Sequence, residues 1–486
     1  MPESSPPDAP LGLLLADPLD LRPVLERPLP AAAAGLAQRP TKVPRGVDEL
    51  HLDAPDADPN DLEEQRWAVV VAPGKAGDAA LEALAPLLEL RAAEQGAPVI
   101  QYRNAPLGAG YEEALRWREE VWRGEPEPER PRYLLLVGEL DELSLELQHT
   151  LSSVAFVGRL HAPEPAGLAA YAHKVARWAS SPSPRTQPDL LFFTPDDGTE
   201  ATAHGRRLLI DPCRALAEAR SSFPAAEIAE LPAARTVAEL VHALQRPEPA
   251  VLLSLGHGLA AGRERWPSPA QRRAIQGALI VGAQSPSLLD RLLGADAVRE
   301  GPLLPGGLWL MVACFAAGTP SHSAFEPWLA ELLEHDAYAQ RVERIHQLLP
   351  RPGEPPFLAA MPLAALANPQ GPLAIVGHVD LAWTFAYLDA QRHGRGRPER
   401  IFGCLRAMVR GSRAGVALDA LMRSFREVND ELLLDYEAEA TALRRHRPWE
   451  GDPRRRANAF MLRNDLRGYV LLGDPAARLP LSPRAR

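Results

Sequence analysis

Cysteine is scarce: only Cys213, Cys314 and Cys404 occur in 486 residues. There is no CxxC pair and no His/Cys cluster, so neither a zinc site nor a disulfide framework is suggested. An excess of basic charge is also missing. Lys and Arg number 53 against 63 Asp and Glu, a net charge of −10. That argues against a sequence-independent nucleic-acid binder, which needs a basic face. No apolar run approaches the roughly 20 residues that span a bilayer. The first residues carry no basic region, and the short apolar stretch 11–15 is followed by Asp17 and Asp20, which makes a poor signal peptide. The expectation is a cytoplasmic chain with free thiols and no membrane span. No internal repeat of roughly 20–50 residues stands out.

What is present is ordinary for a globular protein. Apolar residues make up 46% and charged residues 24%, enough for a sizeable core. The length calls for more than one domain, or for one large α/β domain with additions. Residues 1–65 are rich in Pro, Ala and Asp and end in an acidic stretch at 52–61. They read as an arm and linker in preference to a pro-segment-like cover.

From Trp67 the texture changes. Apolar strands at 67–72, 99–102, 133–137 and 154–160 alternate with helical patterns at 74–95, 111–122 and 168–178. Pro86 is placed to kink the first helix. Such alternation predicts parallel βαβ units. A Ser/Pro-rich linker spans 180–188, and the alternation then restarts. Strands are expected at 190–193, 251–255, 308–312 and 373–376, with helices at 203–210, 235–244 and 327–335. The expected organisation is therefore an α/β fold with mostly parallel sheets flanked by helices. Residues 66–180 form a first unit, 189–392 a second, and 393–486 a mainly helical C-terminal region. That last region holds helices at 401–410 and 416–438, a basic loop at 444–456 and a closing strand at 468–472.

Two strands of the second unit carry chemistry at their carboxyl ends. The run at 308–312 leads into Ala313-Cys314-Phe315-Ala316-Ala317-Gly318. The run at 251–255 leads into Gly256-His257-Gly258. If the strands are parallel neighbours, their ends set an imidazole beside a thiol, a candidate cysteine–histidine dyad. A thiol attacks as thiolate, and an adjacent imidazole can take its proton and later protonate the leaving amine. The backbone N–H groups of Cys314 and Gly258 are the natural oxyanion donors, because both lie just past strand ends. Cys213 and Cys404 have no comparable context and read as structural.

These residues resemble the caspase-like superfamily of cysteine peptidases, in the manner of its gingipain-type bacterial branch. Ser254-Leu-Gly-His257-Gly258 resembles the histidine motif, and Val312-Ala-Cys314-Phe-Ala-Ala-Gly318 the cysteine motif. The latter departs from the true caspase form, so no preference for aspartate follows. Weaker matches are Leu136-Val137-Gly138, Val157-Gly158-Arg159-Leu160, Ala374-Ile-Val-Gly377 and Leu472-Gly473-Asp474-Pro475.

The resemblance implies two tandem caspase-like subdomains, 66–180 non-catalytic and 189–392 carrying the dyad. It also implies a cysteine endopeptidase acting on protein or peptide substrates without metal or cofactor. A structural calcium stays open, as do a regulatory partner protein and an intracellular regulatory or defence-associated role. An acid beside Cys314 would select a basic P1 residue. The resemblance points to Asp141 for that role, with Asp380 the other candidate and Trp383 as a wall. Two rival classes remain. One is a catalytically inactive caspase-like scaffold acting by protein–protein interaction. The other is a serine- or metal-dependent hydrolase using His204, His257 or His378, for which the sequence offers no ligand spacing.

Overall fold

The structure is a computed structural model. It describes residues 10–36, 58–220, 222–232, 234, 236–282, 287, 289–389 and 395–483. The acidic stretch at 52–61 lies outside the described residues as far as residue 57.

Among the described residues, ten strands build one large sheet. In chain order they are β1 (Trp67–Val71), β2 (Ile100–Tyr102), β3 (Tyr133–Val137), β4 (Phe156–Leu160) and β5 (Asp189–Phe193). Then come β6 (Ile228–Glu230), β7 (Ala250–Leu255), β8 (Leu308–Val312), β9 (Ala374–His378) and β10 (Tyr469–Gly473). Their order across the sheet is β2-β1-β3-β4-β10-β9-β8-β7-β5-β6. The runs β1–β4 and β5–β9 are each parallel. β10 lies between them, antiparallel to β9, with Leu472 opposite Arg159 of β4.

The two strand runs thus share one sheet, and the closing strand of the tail sits at its centre. The five-residue, Leu/Val-rich strands β3, β8 and β10 are buried along their whole length. That is the signature of a sheet covered by helices on both faces. Buried polar bonds tie the centre further. Asp474, just past β10, accepts from Trp67 Nε1 at 2.9 Å and from Arg91 Nε at 2.8 Å.

Local chemistry sets the helix breaks. The pattern at 74–95 forms two helices, Lys75–Ala83 and Ala85–Gln95, with Pro86 in the first turn of the second. Proline is tolerated there because its missing N–H would be unpaired anyway. The tail is helical as expected, in Glu399–Val409, Ala414–Arg444 and Pro453–Arg467. No helix of the described residues is long and apolar enough to cross a membrane.

The first residues differ from the expected arm. Leu11, Leu13, Leu14 and Leu15 are fully buried in the main core. Pro10–Leu11 pairs antiparallel with Leu29–Pro30, and Trp328 Nε1 donates to Ala33 O at 2.8 Å. The physical reason is the apolar run 11–15 itself. Burying a leucine side chain is worth about 1.5–3 kcal/mol, and four in five residues outweigh the entropy of fixing the segment.

Candidate active site

β7 and β8 are parallel neighbours with Leu255 opposite Val312. His257 and Cys314 therefore stand two residues beyond the same register pair. The ladder ends with Gly256 N–H donating to Val312 O at 3.2 Å. Beyond it the two chains stay close. A Cβ on Gly258 would fall 1.9 Å from the Cys314 carbonyl oxygen, so only glycine fits. Phe315 adopts φ 55°, left-handed for a bulky residue. Such backbone costs roughly 1–2 kcal/mol and persists only where neighbours hold it. Here Phe315 N–H donates to Asp380 O and Ala317 N–H to His378 O, each at 2.9 Å. The cysteine turn is thus clamped by the loop that follows β9.

His257 is held from the other side by the loop after β5. Its Nε2 lies 3.1 Å from Thr199 Oγ1 and 3.5 Å from Asp197 Oδ2. Thr202 Oγ1 donates to Asp197 Oδ1 at 2.5 Å and fixes that carboxylate. Nδ1 has no hydrogen-bond partner. A proton on Nε2 would face Thr199 Oγ1 and the Asp197 carboxylate and would leave Nδ1 as the basic nitrogen. Burial lowers the His257 pKa, and the Asp197 charge opposes that shift. Burial pushes the Cys314 thiol well up. Its Sγ accepts from Ala382 N–H at 3.1 Å. Neither ring nitrogen is bonded to the thiol in this state. The Asp197 and Thr199 supports were missed in the sequence. The signal was available, because Pro195-Asp196-Asp197-Gly198-Thr199 follows a strand that flanks β7.

The groove between these loops is filled by the chain's own residues 12–16. The Leu14 carbonyl oxygen accepts from Gly258 N–H at 2.9 Å and from Cys314 N–H at 3.2 Å. Leu14 N–H donates to Ala382 O at 3.2 Å, Leu13 bridges antiparallel to Trp383, and Gly12 N–H reaches Thr384 Oγ1 at 3.3 Å. On the far side Leu15 and Ala16 pair with Gly258 and Leu259. The segment is an added strand, the mode by which extended peptides bind a sheet edge.

The other expected residues divide. Trp383 is fully buried, its backbone pairs with Leu13, and its ring meets Trp328 edge-on at 5.1 Å. Asp380 is buried, and its carboxylate accepts from Ser323 Oγ at 2.8 Å, Ala324 N–H at 2.7 Å and Leu381 N–H at 2.7 Å. Burial raises its pKa to about 6 against those bonds. Asp141 is half-exposed, 3.8 Å from Arg273. Asp141 and Asp380 line one cleft of about 400 Å³, together with Ser321, His322 and Arg467, whereas His257 and Cys314 do not line it. His378 Nδ1 accepts from Asp380 N–H at 3.0 Å, and its Nε2 donates to Asp465 O at 2.9 Å. Burial lowers its pKa to about 4, so it is a neutral scaffold residue. His204 is partly buried in the helix Glu200–Gly205. Among the described residues no three His, Cys, Asp or Glu side chains are grouped to hold a metal. Cys213 and Cys404 are buried, and burial pushes the Cys404 thiol up to about 12.

No family model matches the chain, and no curated protein matches it. Among solved structures, the chain is similar to the Arg-specific cysteine proteinase gingipain R. The identity is 12% and the TM-score 0.48, over 90% of this chain and 80% of that one. It is similar to the complex of Porphyromonas gingivalis RgpB pro- and mature domains at 11% identity and TM-score 0.47, over 85% and 79% of the two chains. A further solved protease is similar at 13% identity and TM-score 0.43, over 86% and 80%. Likeness at this level concerns the course of the chain and carries nothing about its chemistry, which rests on the geometry of the site.

Proposed function

We propose that the chain is a cysteine endopeptidase, with Cys314 as nucleophile, His257 as general base and then acid, and the N–H groups of Gly258 and Cys314 as the oxyanion hole. One observation carries this reading. Two backbone donors from adjacent strand ends converge on a single peptide carbonyl oxygen, that of Leu14, and one of them belongs to the cysteine itself. An apolar core packs carbonyls into ladders; two donors from different strands aimed at one carbonyl beside a thiol are what acyl transfer needs.

In the proposed reaction His257 Nδ1 takes the Cys314 proton, and the thiolate attacks the carbonyl carbon. The oxyanion stays on the two N–H groups. The C–N bond breaks as the amine takes the imidazolium proton. Water, deprotonated by His257, then hydrolyses the thioester and returns the thiol. Asp197 and Thr199 hold the ring in the tautomer this requires. The substrate is a protein or peptide in extended form. Three unpaired, buried cysteines suit a reducing compartment, and a cytoplasmic setting goes with this reading.

A binding-only scaffold is favoured by one observation, that neither nitrogen of His257 is bonded to the thiol. Cleavage of a broad peptide panel by the chain, by Cys314→Ala and by His257→Ala separates the two. A fall of about 1,000-fold or more in both variants supports the enzyme. Equal rates in all three chains sink it.

A further inference from the structure

We propose that residues 12–16 fill the cleft as an internal, substrate-like inhibitor, and that the cleft takes leucine as the residue whose carbonyl is attacked. This rests on the peptidase reading above. It adds which bond the cleft holds and which side chain it selects.

The pose of the segment is that of a substrate on both sides of one amide. Leu14 O occupies the two-donor hole, and Leu14 N–H is fixed by Ala382 O. Gly12 and Leu13 continue antiparallel along residues 383–384. Leu15 and Ala16 run beside Gly258 and Leu259, with Ala260 N–H donating to Ala16 O at 3.2 Å. The bond presented to Cys314 is Leu14–Leu15. Because the chain is held beyond that bond as well as before it, a freed Leu15 amine would stay in place and favour resealing. A segment anchored this way blocks the site.

The side chain at the attacked position is apolar and fully buried. The acids flanking the loop at 380–384 are not free to receive a cation. Both oxygens of Asp380 accept from Ser323, Ala324 and Leu381. Both oxygens of Asp465 accept backbone N–H groups, from Trp383 at 2.9 Å and Ala386 at 2.8 Å. Asp141 faces a separate cleft. The expectation of a basic P1 residue rested on Asp141 or Asp380, and neither carboxylate is offered to the Leu14 position.

The test uses the full chain, Leu14→Asp and Thr384→Ala with two acyloxymethyl ketones, acetyl-Gly-Leu-Leu and acetyl-Gly-Leu-Arg. Labelling of Cys314 is followed by peptide mass mapping, and folding by circular dichroism. A carboxylate at position 14 is expelled from an apolar site, so the leucine probe should label Leu14→Asp at least about 10-fold faster than the unaltered chain. It should also label that variant at least about 10-fold faster than the arginine probe does. Thr384→Ala removes the hydroxyl that receives Gly12 N–H, together with a buried methyl group; it serves where Leu14→Asp fails to fold, and it should show a smaller gain. Faster labelling by the arginine probe overturns the leucine assignment and leaves the peptidase reading standing. Equal labelling of folded variant and unaltered chain overturns the inhibitory segment. No labelling of Cys314 by either probe in a folded variant sinks the dyad and this proposal with it.

Discussion

Cys314 donates its backbone N–H to the carbonyl oxygen of Leu14 at 3.2 Å, across 300 residues of sequence. The bond joins the turn that carries the thiol to a segment near the start of the chain. It also shows how tightly the site is built, since the second donor to the same oxygen is Gly258.

That closeness makes Gly258 a sharp probe. An added Cβ would meet the Cys314 carbonyl at 1.9 Å, and backbone cannot yield as a flexible side chain can. Gly258→Ala should lower kcat/KM by roughly 100-fold, the scale of one lost oxyanion donor. Steady-state kinetics on a leucyl peptide check this, with a thermal melt to show the fold is retained. An unchanged kcat/KM would remove Gly258 from the hole.

Asp197 positions His257 and favours its protonated form against burial. In Asp197→Asn that attraction is gone, so the imidazole pKa drops further. The acid limb of the kcat/KM profile should move to lower pH, and kcat should fall about 10-fold or more. Asp197→Glu should restore part of both. A purely structural role would lower the rate without moving the limb.

Asp465 gives the chain a pH dependence of stability. Burial raises its pKa to about 8, outweighing the two N–H bonds from Trp383 and Ala386. An unfolded aspartate titrates near pH 3.9. Between those values the folded state binds the extra proton, so stability falls as pH rises and levels off above about 8. His378, lowered to about 4 from 6.5, opposes this below pH 6.5. The clear window is therefore pH 6.5 to 8, where denaturant unfolding should show a loss on the order of 1–2 kcal/mol. In Asp465→Asn the slope should flatten. A slope equal to the unaltered chain's would assign the dependence elsewhere.

Asp474 is the centre of a buried cluster with Trp67 and Arg91. Asp474→Ala strips an almost fully buried guanidinium of its main partner, and Glu94 alone remains beside it. Breaking such a pair from one side costs about 3–5 kcal/mol. Urea denaturation should report a loss of that order with an unchanged m-value. A loss under about 1 kcal/mol would mean the cluster is already hydrated or repacks.

Much of this protein was decided locally and can be read without coordinates. Five-residue apolar runs such as 133–137 and 308–312 bury both faces, so they had to become central strands. Pro86 divides a helix where its ring forbids continuity. His257 and Cys314 follow apolar runs and stand among small residues, which marks them as groups placed just past the carboxyl ends of buried strands.

What the chain order conceals is everything that depends on distant pairing. The strand Tyr469–Gly473 ends the sequence yet joins the two strand runs, because only there are both its edges paired and both its faces buried. Asp197 reaches His257 because β5 happens to lie beside β7, an order that hydropathy does not encode. Asp380 reads as a specificity acid, but its carboxylate is consumed by Leu381 N–H and by two donors from the distant residues Ser323 and Ala324, a pairing that only the folded chain makes. The leucines at 13–15 are visible as an apolar run. That the Leu14 carbonyl accepts from both Gly258 and Cys314, the contact on which the proposed closure of the site rests, depends on the tertiary fold, which brings two strand ends and a segment up to 300 residues away into one apolar groove.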